Sequence, residues 1–305
     1  MDLQSGGARR TVRVHLRAVG LRDRLRLARR TRLPDRGIVG ELRSAVSGRV
    51  RKPSSAHLCD RRRGKGARVT NAHSLSVIVP AYNEADNILG TLESVTTALA
   101  PLPIDYEILV VDDGSSDGTG DVVRANVDRF PRVTLLVNPR NLGFGSTYRR
   151  GVDAATREHL VMVHGDNAWS ADTLRALFTR VGDADIIIGF TRNMWRSRPL
   201  GRTVISKAFT LLVNIITGRR LKYYNGLQLH RADVLKGLAI QSSGYGFQAE
   251  VLVKALRRTR TFVEVPMDLT ERARGESKAF RVKNAVDVLR TIGLLCDIEW
   301  GLAKE

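Results

Sequence analysis

Short apolar runs rich in β-branched residues alternate along the chain with stretches whose apolar positions recur every three or four residues. The first run, Ser76 to Val79, stops at Pro80, which is expected to end the strand because it has no N–H to donate. Ile108 to Val111 is apolar throughout, as a strand buried on both faces of a parallel sheet should be, and breaks off into Asp112, Asp113 and Gly114. Between them, Glu84 to Leu99 reads as a helix with Ile88, Leu92 and Val95 on one face. A helix over Asp117 to Arg129, a strand over Val133 to Val137 and a helix over Gly143 to Ala155 follow. Then come a strand over Leu160 to Val163, the turn His164-Gly165-Asp166-Asn167, a helix over Ala171 to Val181 and a strand over Ala184 to Phe190. Strands and helices alternating over short connections predict an α/β fold with a mostly parallel central sheet and flanking helices. Open sheets of this kind bind ligands at the carboxyl ends of their strands, where these acidic turns fall.

After Phe190 the alternation stops. Arg192, Arg196, Arg198 and Arg202 occupy an expected loop, and Thr203 to Thr217 is apolar with few breaks. That stretch is shorter than a membrane span and reads as a buried or interfacial helix. Leu227 to His230 and Thr261 to Val265 are later strands, Ala249 to Arg258 is a helix between them, and Ala285 to Trp300 is an amphipathic helix expected to pack on the domain.

Charge divides the chain in two. Residues 1–72 hold 20 of the 50 Lys and Arg but only 5 of the 31 Asp and Glu, so the net charge of +19 resides mostly there. No Phe, Tyr or Trp precedes Tyr82, which leaves this leader little with which to build a core. A disordered basic tail, a start codon assigned too far upstream and an organelle transit peptide all fit it. Nucleic-acid binding is disfavoured, because no aromatic residues interleave with the charge. The expected organisation is therefore a leader over 1–72 and one folded domain over 73–305, closing on the amphipathic helix. Cys59 and Cys296 make no disulfide framework or metal spacing, which fits a reducing compartment.

Two polar clusters terminate the first two strands. Asn83, within Pro80-Ala81-Tyr82-Asn83-Glu84, is a candidate helix N-cap. Asp112-Asp113-Gly114-Ser115 has the composition of an Asx turn, yet two adjacent carboxylates closing a buried apolar strand are costly unless paired or ligand-bound.

The order PAYNE, VDDGSSDGT, NLGFGSTYRRG and a further strand ending in an acidic turn resembles family 2 glycosyltransferases, which have the nucleotide-sugar-binding GT-A fold. The resemblance spans roughly residues 74–285. GYGFQAE at Gly244 to Glu250 and ERARGESK at Glu271 to Lys278 are most similar to the polyprenyl-phosphate, dolichol-phosphate-mannose-synthase-like branch. It implies that Pro80, Ala81, Tyr82 and Glu84 line the base and ribose pocket, and that one of Asp112 and Asp113 hydrogen-bonds the nucleobase. Asn141 and Gly143 to Gly151 would shape the loop and helix behind the sugar.

The family's metal-binding Asp-x-Asp corresponds here to His164-Gly165-Asp166. Asp166 is a suitable hard-oxygen ligand for Mg²⁺ or Mn²⁺; His164 is either a second ligand, which suits Mn²⁺ better, or a hydrogen-bond donor to the diphosphate. Sugar-acceptor members often carry a Glu-Asp pair where this chain has Phe247-Gln248, with Glu250 the nearby carboxylate. A phosphate acceptor is already ionised and needs no general base, whereas an alcohol does. The resemblance assigns Arg272 and Lys278 to the donor diphosphate or the acceptor phosphate. It implies inverting transfer from a UDP- or GDP-sugar to a lipid phosphate, at the inner face of a membrane to which a cytoplasmic enzyme attaches peripherally or through a membrane-protein partner. Transfer to a glycan hydroxyl with Glu250 as base, and a nucleotide-sugar-binding protein without activity, are the rival expectations.

Overall fold

The computed structural model describes residues 73–194, 200–242, 244, 246–259, 261–268 and 282–301, with the backbone alone for 282–287. The leader, Trp195, Arg196, Arg198 and the whole of Glu271 to Lys278 lie outside the described residues.

Seven strands form one sheet: β1 (Ser74–Ala81), β2 (Asp105–Asp112), β3 (Val133–Val137), β4 (His159–Met162), β5 (Ile186–Thr191), β6 (Gln228–Arg231) and β7 (Phe262–Met267). Their spatial order is β3-β2-β1-β4-β6-β5-β7, with β6 antiparallel to both neighbours and every other pair parallel. The helices are α1 (Ile88–Leu99), α2 (Thr119–Arg124), α3 (Phe144–Ala154), α4 (Ala171–Phe178), α5 (Leu200–Thr217), α6 (Ala232–Leu235), α7 (Phe247–Arg258) and α8 (Val282–Trp300).

Both sheet faces are covered, which is why the central strands are apolar without alternation. Leu75, Val77 and Val79 of β1 pack on one side with Ile88, Leu92 and Val95 of α1 and Leu174 and Leu177 of α4. Ile78, Leu109, Val111 and Leu160 face the other side, against Tyr148 and Val152 of α3 and Phe247 and Val251 of α7. A third cluster joins Ile186 and Ile188 of β5 to Val213 of α5, Leu252 of α7 and Leu295 of α8.

The strand order reverses direction between β1 and β4: β2 and β3 lie to one side of β1, and β4 lies to the other. The loops leaving β1, β2 and β4 therefore meet at the switch point of the sheet, where doubly wound folds hold ligands.

Three local expectations are corrected. Pro80 lies within β1 rather than after it. The Ile78 and Pro80 carbonyls accept from the Val163 and Gly165 N–H groups, so Pro80 faces β4, whose pairing has ended at Met162. The missing N–H thus falls beyond that ladder, while pairing with β2 continues to Ala81 and Asp112. The first helix starts at Ile88, not Glu84, after a turn in which the Glu84 carbonyl accepts from the Asn87 and Ile88 N–H groups. The second is split into α2 and a 3₁₀ turn over Val127–Arg129: after α2 the Asn126 and Arg129 N–H groups bond carbonyls three residues back, Val123 and Asn126, rather than four.

Helix α5 is longer than expected, and of the two readings given for it, buried or interfacial, its exposure fits the second. It is a single helix of 18 residues with a mean hydropathy of 1.3, long and apolar enough to cross a membrane by length and composition. It is also not buried: Leu200, Val204, Ile205, Leu211, Leu212 and Ile215 are exposed along one face. The side turned to the protein carries Thr203, Thr210 and Asn214, whose side chains donate to the Met194, Ser206 and Leu221 carbonyls. Val213 is buried on that same side, with Phe209 and Ile216 packed beside it, so α5 carries apolar side chains on both faces where the usual surface helix has a polar outer one.

Candidate active site

The loops leaving β1 and β2 are tied together by side-chain-to-backbone hydrogen bonds. Asn83 N donates to Ser115 Oγ at 3.0 Å, and Asn83 Oδ1 accepts from Ser116 N at 2.9 Å. Glu84 N donates to Thr119 Oγ1 and Ala85 N to Asp117 Oδ2, each at 2.9 Å. Burial pushes the Asp117 carboxyl up, but the bonds from Thr119 and the Ala85 N–H outweigh it and hold the group below its ordinary value. Asn83 is therefore not an N-cap. It sits in the left-handed region at φ 56°, and its amide oxygen holds the neighbouring loop rather than a helix end. Asn167, after β4, has φ 51°; among the described residues these are the two non-glycine positions with positive φ, and both lie on this rim.

Asp112 and Asp113 are adjacent and both buried, yet their surroundings differ. Asp113 Oδ1 accepts from Asn138 Nδ2 at 2.7 Å and Leu142 N at 2.9 Å, and Oδ2 accepts from Gly143 N at 3.0 Å. It ties down the two backbone N–H groups immediately before α3 and so fixes where that helix begins. Gly114 allows the approach: a Cβ there would stand 2.6 Å from the Arg140 carbonyl carbon. Asp112 Oδ1 accepts from Ser115 N at 3.0 Å and from the Ser115 hydroxyl. Its Oδ2 lies beside Gly120 at the start of α2 and has no hydrogen bond among the described residues.

Tyr82 is 42 % exposed above the end of β1. Pro80 and Ala81 are the last residues of β1, and the Glu84 carboxylate accepts from Asn87 Nδ2 at 2.8 Å. The turn after β4 is held against β1 through the bond from Gly165 N to Pro80 O. His164 and Asp166 flank that glycine, both half-buried. The His164 ring lies over Phe144 at the start of α3, with centroids 5.3 Å apart and planes 7° from parallel. Asp166 Oδ1 accepts from Ala168 N at 3.3 Å. A half-buried carboxylate at the switch point, with an imidazole two residues away, is a donor set that suits Mg²⁺ or Mn²⁺.

Glu250 is fully buried, with Oε1 accepting from Gln241 N and Lys254 Nζ and Oε2 from Ser242 N, at 2.6–2.8 Å. Burial raises its carboxyl, but the bonds from Lys254, Gln241 and Ser242 prevail and lower it. A carboxylate so engaged fastens the 241–242 segment. Phe247 is packed on Phe144 and Tyr148, and Gln248 Nε2 donates to the Gly226 carbonyl.

The structure thus brings Pro80, Ala81, Tyr82, Glu84, Asp112, Asp113, His164 and Asp166 to one rim, while Arg272 and Lys278 lie outside the described residues. The turn expected over Asp112 to Ser115 is present, with Ser115 bonded to Asp112, whereas sequence reasoning gave no role to Asp117, Thr119 or Asn138, which also hold the rim together. For Asp117 and Thr119 the signal was available as the repeated Ser, Asp and Thr of the second loop, residue types that bond nearby backbone.

The sequence model of glycosyl transferase family 2 matches residues 76–228. The chain is 33% identical over 216 residues to an undecaprenyl-phosphate mannosyltransferase of Micrococcus luteus, covering 66% of this chain and 85% of that one. It is 31% identical over 237 residues to a polyprenol monophosphomannose synthase of Mycolicibacterium smegmatis, covering 72% and 87%. Among solved structures, glucosyl-3-phosphoglycerate synthase of Mycobacterium tuberculosis, in complex with Mn²⁺, UDP and glucosyl-3-phosphoglycerate, matches with a TM-score of 0.57 at 20% identity. That match covers 76% of this chain and 82% of that one. The fold is accordingly of the GT-A type. The chain is a glycosyltransferase and belongs to glycosyl transferase family 2.

Proposed function

We propose that this glycosyltransferase moves a hexose, with inversion, from a nucleoside diphosphate to a polyprenyl phosphate. The observation that carries the choice of acceptor is the state of Glu250. An alcohol acceptor needs a base, and both oxygens of the carboxylate nearest Phe247-Gln248 are already engaged. An acceptor phosphate brings its own anionic oxygen. The names of the two mannosyltransferase relatives support the same acceptor class.

In this reading Tyr82 stacks on the base above Pro80 and Ala81, Asp112 Oδ2 accepts a ring N–H of uracil or guanine, and Glu84 lies beside the ribose. Asp113 holds the start of α3 behind the sugar. A phosphate oxygen of the acceptor attacks the anomeric carbon from the face opposite the diphosphate; the new C–O bond forms as the old one breaks, and its electron pair leaves on the diphosphate. Asp166, with His164 as second ligand or diphosphate donor, would hold Mg²⁺ or Mn²⁺, which would supply charge neutralisation for that leaving group. Arg272 and Lys278 are assigned to the same phosphates.

A lipid acceptor requires access to a membrane. We assign attachment to the outward apolar face of α5, with exposed Lys207 and Arg220 favouring an anionic surface on the cytoplasmic side. The test is transfer by the full chain from labelled UDP- or GDP-hexoses, with Mn²⁺ or Mg²⁺, to vesicles carrying polyprenyl phosphate or a glycolipid with a free hydroxyl. The proposal expects the phosphate product alone. Equal transfer to the hydroxyl acceptor would overturn it, and binding of neither nucleotide would favour a protein without activity.

A further inference from the structure

At the amino ends of β1 and β4, opposite the rim just described, two imidazoles and a carboxylate converge. His73, Glu158 and His159 each offer one donor atom, and all three atoms lie within 4.8 Å of one another. Ligands ~2.1 Å from a tetrahedral ion stand about 3.4 Å apart, so a small rotation of the two exposed side chains, His73 and Glu158, closes the set.

The backbone fixes all three. His159 pairs with Leu75 in the β1–β4 ladder, Glu158 N donates to Ser74 Oγ at 3.0 Å, and Asp105 N donates to the His73 carbonyl at 3.1 Å. The His73 ring lies over Gly182, where a Cβ would come within 2.3 Å of it, so that glycine makes room for the imidazole. His159 supplies the independent observation. It is 98 % buried, yet its Nδ1 has no hydrogen-bond partner, and the Glu158 carboxylate stands 4.0 Å away. Buried polar nitrogens are seldom left unpaired, and an unpaired imidazole lone pair is a ligand for a soft or borderline cation. The neighbouring cation, Arg231, is engaged by Asp185 and Asp233.

We propose that His73, Glu158 and His159 bind one divalent transition-metal ion of the zinc class, which clamps the start of β1 to β4 and leaves a fourth position to water. Two imidazoles and one carboxylate suit Zn²⁺, whereas the carboxylate-led donor set near Asp166 suits Mg²⁺ or Mn²⁺. The two sites therefore differ in metal preference as well as in position.

The experiment uses the full chain, stripped with EDTA and titrated with ZnCl₂, with bound zinc measured after dialysis and thermal unfolding followed in parallel. Wild type and Asp166→Ala should each retain one zinc and gain several degrees in Tm. His73→Ala and Glu158→Gln, both at exposed positions, should bind at least about tenfold more weakly and lose the Tm gain, while keeping wild-type transfer activity in Mg²⁺. Zinc retained equally by both variants, zinc lost only in Asp166→Ala, or no stoichiometric zinc in wild type would each overturn the site.

Discussion

The rim over β1, β2 and β4 and the surface of α5 both break the usual division between a polar outside and an apolar inside, in opposite ways. On the rim, carboxylates and amides are drawn into the protein, and most are consumed by backbone donors of the adjacent loop. On α5, hydroxyls and an amide are drawn in and satisfied, leaving leucines and isoleucines in contact with solvent. The first arrangement makes a rigid polar cradle; the second makes a surface that gains by being covered. A transferase joining a soluble, highly charged donor to a lipid-borne acceptor needs one of each.

The comparison breaks most sharply at Asp166. Asp166→Ala should lower transfer by at least about 100-fold with the fold intact, since the leaving-group charge loses its partner, while the lost turn bond from Ala168 N costs about 1 kcal/mol of stability. Full activity in that variant would remove Asp166 from the proposed mechanism. The adjacent pair on β2 gives a finer cut. Asp112→Asn should weaken UDP or GDP binding about tenfold or more, measured by calorimetry, with little change in stability. Asp113→Asn should do the reverse. It turns an amide towards Gly143 N and costs about 1–3 kcal/mol of stability, read from urea unfolding, while the folded protein binds nucleotide nearly as before. A swapped pattern would mean that the two aspartates have exchanged the roles given to them here.

How much of this was legible beforehand follows from which forces set each feature. Strands β1, β2 and β4 follow from burial on two faces, and burial is written in their unbroken apolar runs; the edge strand Val133–Val137, only partly buried, still matches residue for residue because its residues are mostly β-branched. The family and its GT-A fold were legible from the strand-exit motifs. The division of labour between Asp112 and Asp113 was not, because both residues look alike until Asn138, Leu142 and Gly143 are brought to one of them from roughly thirty positions away. Asn83 was misread for a related reason: its partner, Ser116, is distant in sequence, so a local capping rule had nothing to weigh against it. The orientation of α5 was hidden because a composition of leucine, isoleucine and threonine does not say which face turns inward. The burial of Val213 and the bonds of Thr203 and Asn214 to the Met194 and Leu221 carbonyls do.

The α5 side of the comparison is sharpened by making its outer face polar. Leu211→Ser and Ile215→Ser remove side chains that are 62 % and 69 % exposed, so folding stability should hold or rise slightly. Co-sedimentation with vesicles containing anionic lipid should fall about tenfold for each, as an apolar side chain inserted into lipid contributes about 1.5–3 kcal/mol. Unchanged sedimentation in the double variant would leave the apolar face without its assigned role and point to a protein partner instead.

The smallest expected effect concerns pH, and it separates the rim from the sheet beneath it. His230 is buried in β6 with Nδ1 unpaired, and burial pushes its imidazole down to about 3; burial also lowers His159 in β4. A histidine whose folded value is depressed takes up a proton on unfolding once pH drops below the unfolded value of about 6.5. Its contribution is therefore present above that value and is lost as pH falls towards the folded one. Between pH 7 and 6, His230 alone should cost roughly 0.7 kcal/mol, seen as a fall of a few degrees or less in Tm in EDTA. The lowered Glu250 carboxyl adds to the loss only at lower pH, in the carboxylate range, because its stabilisation is complete above the ordinary Glu value. His230→Gln should flatten the fall between pH 7 and 6 and leave the acid limb below pH 4.5 in place. If the variant loses as much as wild type between pH 7 and 6, the titrating group lies elsewhere.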